Sequence, residues 1–109
     1  MTISIDDFKK VEIKIGQIVK AEKIPETDKL LRLEVDFGEE KIRQIISGIA
    51  TYFPDPLVLA GKKCAFAANL EPRTIRGLES QGMILAVSGE GFFSLLEASQ
   101  AVLPGSAVK

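Results

Sequence analysis

Apolar and polar residues alternate in five stretches of the chain, with the two-residue period of half-buried β-strands. Val11, Ile13 and Ile15 face one way and Glu12 and Lys14 the other. Gly16 interrupts this run, and Ile18, Val19 and Ala21 resume it with the pattern slipped. A glycine inside a long strand predicts a bulge or sharp bend, here in a first strand over Val11–Ala21. Leu31, Leu33, Val35 and Phe37 alternate with Arg32, Glu34 and Asp36 in the cleanest strand of the chain. Gly38-Glu39-Glu40 then leads tightly into Lys41–Ile46, so the two segments form a hairpin. Cys64–Ala68 reads as a fourth strand, Gly82–Ser88 as a fifth, and Phe92–Leu95 as a short further one.

The segments between these strands carry their own signals. Ser4-Ile5-Asp6-Asp7 has the form of a capping box with Asp in place of Glu, and two aspartates suit a helix N-terminus. A short helix from Ile5 to about Lys10 is expected, with Phe8 packing against the segment after it. Pro25 ends the first strand, and Glu26–Lys29 is a loop. Ile49–Ala60 holds Pro54 and Pro56, which forbid one long helix and predict short helical turns capping one end of a barrel. Leu96–Val108 is a C-terminal extension. Three strands, a helical connection and two more strands give the order of an all-β OB-fold, a five-stranded Greek-key barrel that often binds nucleic acid or oligosaccharide. The bent first strand and the central helical insert favour it over a small β-sandwich. The length, 109 residues, fits one domain over 1–109.

Composition narrows the chemistry. The chain has no histidine, no tryptophan and one cysteine. That removes Ser-His and Cys-His pairs, His-ligated zinc, imidazole acid–base work and any internal disulfide, so neither catalysis nor a cofactor or metal is expected. Cys64, without a histidine partner and within an apolar strand, reads as a small buried hydrophobe. Asp6 and Asp7 near the start are unlike a signal peptide, and no apolar run reaches the ~20 residues of a membrane span; a cytoplasmic location is expected. Net charge is −1, which argues against a generically basic nucleic-acid binder. The charge is uneven, however. Lys41–Arg76 holds six basic residues and two acidic ones, a balance of +4, which leaves −5 for the remainder. A near-neutral protein can still present one positive face.

The stretch Asn69–Met83, NLEPRTIRGLESQGM, is rich in hydrogen-bonding groups and lies between the fourth and fifth strands. Arg73 and Arg76 sit three apart in a segment read as too irregular for a strand. Either they aim guanidinium forks at phosphates or a base face, or they are loop arginines that keep the surface soluble. Asn69 either reads a nucleotide edge or bonds backbone at a strand end. Arg32 and Arg43 project from the polar faces of adjacent strands, in the region where OB-folds bind ligands. Lys62 and Lys63 read as a solvated turn, and Tyr52 and Phe53 as a plug for the barrel end.

Three separated segments in fixed order, Asp28-Lys29-Leu30, Ser47-Gly48-Ile49 and Asn69-Leu70-xx-Arg73-xx-Arg76-Gly77-xx-Ser80-x-Gly82-Met83, resemble the tRNA-binding domain. This module occurs at the C-terminus of methionyl-tRNA synthetases, in stand-alone dimeric tRNA-binding proteins, in CsaA-like chaperones and in eukaryotic synthetase cofactors. The resemblance runs from IDDFKKVEIKIGQI to LPGSAVK, nearly the whole chain. IDDF, YFPDP and SQGM are most similar to the synthetase domain. It implies an OB-fold core whose terminal additions form a homodimer, and binding of tRNA by shape and backbone, beside a fused or associated synthetase catalytic domain. It also implies that Ser80 and Met83 lie in the nucleic-acid pocket and that Lys29 contacts RNA, where the bare sequence allows a turn and a core methionine. The candidate tRNA-binding residues are thus Lys29, Arg32, Arg43, Asn69, Arg73, Arg76, Ser80 and Met83. A chaperone that binds unfolded or exported chains, and a purely structural dimerisation module, stay open as alternatives. Met1-Thr2 can begin a free protein or an excised synthetase fragment.

Overall fold

The computed structural model describes residues 1–109. Its centre is a nearly closed antiparallel sheet. Strands β1 (Ile13–Lys23), β2 (Leu31–Asp36), β3 (Arg43–Ser47), β4 (Lys63–Ala67), β5 (Arg73–Ile75), β6 (Leu78–Ser80) and β7 (Met83–Ile84) follow one another in the chain, and the main sheet is ordered β3-β2-β1-β4-β7. That is the five-stranded barrel path expected. β1 is the hub: its C-terminal half pairs with β2 and its N-terminal half with β4. One strand can serve both neighbours because it bends. The register shift lies between Ile18 and Lys20, not at Gly16 as the sequence suggested. Gly16 answers a different demand, since a Cβ there would stand 2.6 Å from Val35 Cγ1 and 2.8 Å from Phe37 Cε1.

The inward positions of this sheet form the core. Ile18, Leu31, Leu33, Val35, Ile45, Leu59, Cys64 and Phe66 are fully buried, and Phe37 meets Phe66 edge-on with centroids 5.2 Å apart. Burial, together with the negative charge of Glu97, pushes the Cys64 thiol up to about 11, which leaves it protonated and inert at neutral pH. Between β3 and β4 two 3₁₀ turns, Ala50–Tyr52 and Pro56–Leu59, close one end and drop Leu59 into the core. Phe53 packs against that core, while half-exposed Tyr52 stacks on Phe93 at 3.9 Å. No helix is long and apolar enough to cross a membrane.

The periphery departs from expectation in four places. The helix α1 spans Ile5–Phe8, capped by the Ser4 hydroxyl accepting from Asp7 N at 3.0 Å, but it buries nothing and Phe8 stays exposed. The expected fifth strand is split: β7 stays in the barrel, and β8 (Ala86–Gly89) turns away to pair with β9 (Phe92–Leu95). The tail returns as structure, with β10 (Ala107–Val108) adding to β1 at Ile13 and Lys14. Lys63 is buried rather than part of a solvated turn. It opens β4, and its ammonium donates to Gln100 O at 2.7 Å, tying down the tail.

Candidate functional site

The segment from Asn69 to Met83 leaves the barrel after β4, runs out along β5, returns along β6 and re-enters at β7. The expectation that Arg73 and Arg76 lie outside regular strand holds for Arg76 and is corrected for Arg73: Arg73–Ile75 and Leu78–Ser80 form a two-stranded hairpin with Arg73 opposite Ser80. Arg76 and Gly77 are its two-residue turn, with φ of 53° and 78°. Two consecutive positive φ values mark the primed hairpin turn whose twist suits β-strands, and Asn-Gly is its favoured pair. Arginine in the first of these positions is sterically disfavoured.

Three cations on this side are exposed and form neither an ion pair nor a side-chain hydrogen bond within the chain: Lys29, Arg73 and Arg76. Thr27, Asp28, Lys29 and Leu30 from the β1–β2 loop share a cleft of about 330 Å³ with Arg76 at the hairpin tip. Two loops far apart in sequence therefore converge and present Lys29 and Arg76 together. On the same hairpin Arg73 borders a separate, small recess of about 70 Å³ lined also by Ile46, Leu70, Ile75, Ser80 and Met83. Met83 is 49% exposed, so it offers an apolar, polarisable surface there instead of filling the core.

The other candidates are engaged within the chain. Asn69 Oδ1 accepts from Glu12 N at 2.8 Å, and its Nδ2 donates to Lys10 O at 2.6 Å. Asn69 thus pins the N-terminal segment to the root of the hairpin. Ser80 is buried; its hydroxyl accepts from Ile46 N at 3.0 Å and donates to Gly82 O at 3.2 Å. Arg32 donates to Gln44 Oε1 at 2.6 Å, Glu22 at 2.8 Å and Glu34 at 3.2 Å, in a carboxylate-rich patch on the polar face of the sheet. Arg43 forms a two-pronged pair with Glu39, 2.8 and 2.7 Å, and lies over the Phe37 ring at 4.9 Å. Its Nη1 donates to Ala68 O at 2.6 Å and Gln81 O at 3.2 Å. These carbonyls lie where the chain leaves the barrel and where it comes back, so Arg43 clamps both ends of the excursion. The hydrogen bond from Arg43 holds the Glu39 carboxyl below its ordinary value, against a smaller opposing effect of desolvation.

Sequence reasoning missed Gln44 and Gln81, which fasten the returning strand to β3. No spacing signal marks them, because the partners are separated by 35 to 37 positions. No group of three or more His, Cys, Asp or Glu side chains is gathered as a metal site needs. The arrangement offers cations, a shallow apolar recess and backbone-rich loops, which is chemistry for holding an anionic, ring-bearing ligand.

Comparison with known proteins points the same way. The family described as "Putative tRNA binding domain" matches residues 13–107. The chain is 47% identical over 107 residues to the methionine–tRNA ligase of Enterococcus faecalis, and 49% identical over 107 residues to that of Methanosphaerula palustris. These matches cover 97% and 98% of the chain but 16% of each ligase. Among solved structures, a MetRS related protein from Pyrococcus horikoshii superposes with a TM-score of 0.92 at 40% identity, covering 100% of this chain and 99% of that one. The chaperone CsaA of Bacillus anthracis gives 0.86 at 26% identity, with both chains covered fully.

Proposed function

Since the chain belongs to the tRNA-binding domain family, we propose that it binds tRNA without catalysing any step, as a homodimeric module that positions the RNA for a methionyl-tRNA synthetase domain, fused or associated. The observation that carries this reading is the convergence of Lys29 and Arg76 on one cleft, with Arg73 of the same hairpin and Met83 at a small recess. Cations free of internal partners suit phosphates, which supply most of the affinity in such contacts. The absence of interleaved aromatic and basic residues favours folded RNA, held by shape, backbone and 2′-hydroxyl contacts, over sequence-tolerant single strands. Lys29, Arg73, Arg76 and Met83 touch the RNA. Arg32, Arg43, Asn69 and Ser80 act behind them, given their internal partners.

The second copy sits on the apolar groove of about 410 Å³ bounded by Ile5, Phe8, Val11, Ile13 and Val108. α1, the start of β1 and β10 build this groove, and these are the terminal additions beyond the barrel. The dimer then offers two RNA faces, and weak contacts add through raised local concentration.

A filter-binding titration with tRNA over a salt series tests the function. Affinity should fall steeply as salt rises, and Arg73→Ala with Arg76→Ala should flatten the slope by about 2. Undetectable or salt-independent binding overturns it. The chaperone reading draws on the same apolar groove; it gains if sedimentation equilibrium finds a monomer whose groove stays open.

A further inference from the structure

We propose that Gln44 and Gln81 are positioning residues for RNA binding, which lock the β5–β6 hairpin in the pose that presents Arg73 and Arg76. Their bearing on RNA rests on the function proposed above. β3 is the last strand of the sheet path, and no regular ladder joins it to β6 or β7. The barrel closes there through side chains. Gln81 N donates to Gln44 O at 2.8 Å, the one backbone pairing of the seam. Gln44 N donates in return to the side-chain Oε1 of Gln81 at 3.0 Å. Gln44 Nε2 reaches Glu79 O at 2.8 Å, and its Oε1 is held by Arg32 Nε at 2.6 Å. The Gln81 side chain thus satisfies the Gln44 amide and the Gln44 side chain the Glu79 carbonyl, where a ladder would have used backbone alone.

Gln44 holds β6 at Glu79, next to Ser80, whose own hydroxyl accepts from Ile46 N, and these two residues face the strand that carries Arg73. Glu79 pairs across the hairpin with Thr74, and Ser80 with Arg73. β5 belongs only to this two-stranded unit, and an isolated two-stranded hairpin is marginal in water. Its direction therefore depends on how β6 is fastened. Neither glutamine lines the cation cleft or the Met83 recess, so loss of either should act through hairpin order and not through a lost contact. A loosened hairpin must be ordered when RNA binds, which lowers affinity while the final set of phosphate contacts stays the same.

The test pairs tRNA titrations with backbone amide order parameters of the RNA-free protein. Gln44→Met and Gln81→Met keep side-chain length but remove the polar ends. Each should raise Kd about tenfold, leave the salt slope unchanged and lower the order of the Arg73, Thr74 and Ile75 amides. The double variant should lose no more than either single one. Gln81→Glu keeps an acceptor for Gln44 N and should restore amide order. Hairpin amides as ordered in Gln81→Met as in the parent chain overturn the proposal. So does an affinity loss with a shallower slope, which makes Gln81 a contact. A lowered Tm with unchanged Kd and order reduces both residues to ordinary stability. If the parent chain fails to bind tRNA, the proposed function falls, and the amide measurement alone still decides whether the seam holds the hairpin.

Discussion

Arg76 stands where the backbone wants asparagine or glycine. Its φ of 53° places a long side chain in the left-handed region, at a cost on the order of 1 kcal/mol. Strain of this kind at an exposed turn points to a use for the side chain. Arg76→Asn should therefore stabilise the protein slightly, raising Tm in a thermal melt, and should weaken tRNA binding while lowering the salt slope by about 1. A rise in Tm with unchanged slope would leave Arg76 without a role in binding. Glu39 makes a second test. The Arg43 guanidinium donates to it and keeps its carboxyl below the ordinary value of 4.5. A carboxyl with a depressed folded value stabilises the fold above its unfolded value, and that contribution fades as pH falls through the folded one. Glu39→Gln should thus lower the denaturation midpoint at neutral pH, modestly because the pair is partly exposed. The gap between variant and parent should narrow as pH falls below the ordinary carboxyl value of 4.5 and close only once pH has passed below the lower folded one.

β1 shows how one element lets a barrel be made from few residues. Its first half pairs with β4 and β10, its second half with β2, and Gly16 lies where Val35 and Phe37 pass underneath. Gly16→Ala should overpack that crossing and cost about 1–3 kcal/mol, read as a lower urea midpoint at unchanged m. tRNA affinity under native conditions should hold, since the hairpin is anchored on β3. The alternation of β1 and β2 made these strands legible in the sequence, because β2 buries every second residue, Leu31, Leu33 and Val35, and β1 spreads its buried Ile15, Ile18 and Ala21 over eleven residues. β5 and β6 were not legible. Three residues each are too short to show a period, and their turn uses Arg-Gly where Asn-Gly would have announced it. The roles of Asn69, Ser80 and Gln81 were hidden for another reason: the partners they bring across the fold lie 34 to 59 positions away. A polar residue in a loop announces hydrogen-bonding capacity, and only the folded topology says whether a ligand or the chain itself takes it. Lys29, Arg73 and Arg76 are the candidates left without internal partners.

At the scale of the molecule, surface area and shape both speak for a partner. A folded monomer of 11.8 kDa is expected to expose roughly 5,900 Å², whereas this chain exposes 7169 Å². Its radius of gyration is 14.0 Å against about 13 Å for a compact chain of this length. The terminal additions contribute to that excess. α1 is one turn long and buries nothing, and a helix that short is unstable in isolation. Ile5 at 65% exposure and Phe8 and Val11 at 43% each surround the groove completed by Val108. An apolar surface of this kind on a small protein suits an interface, and the proposed second copy would supply a matching groove under two-fold symmetry. Phe8→Glu would remove an aromatic ring from that contact and set a carboxylate in its place, whose desolvation opposes association even with Lys9, Lys14 and Lys109 lining the groove. Sedimentation equilibrium at micromolar concentration should give twice 11.8 kDa for the parent chain and the single mass for the variant. Phe8 lines neither the Lys29–Arg76 cleft nor the Met83 recess, so the variant's single-site salt slope should persist. If both faces of the dimer engage one tRNA, overall affinity should fall by about tenfold or more with loss of the second face; if each face binds its own tRNA, affinity should hold and stoichiometry per chain should stay the same. A parent chain that sediments as a monomer would sink the dimer, and would leave the groove as an open apolar surface of the kind a chaperone needs.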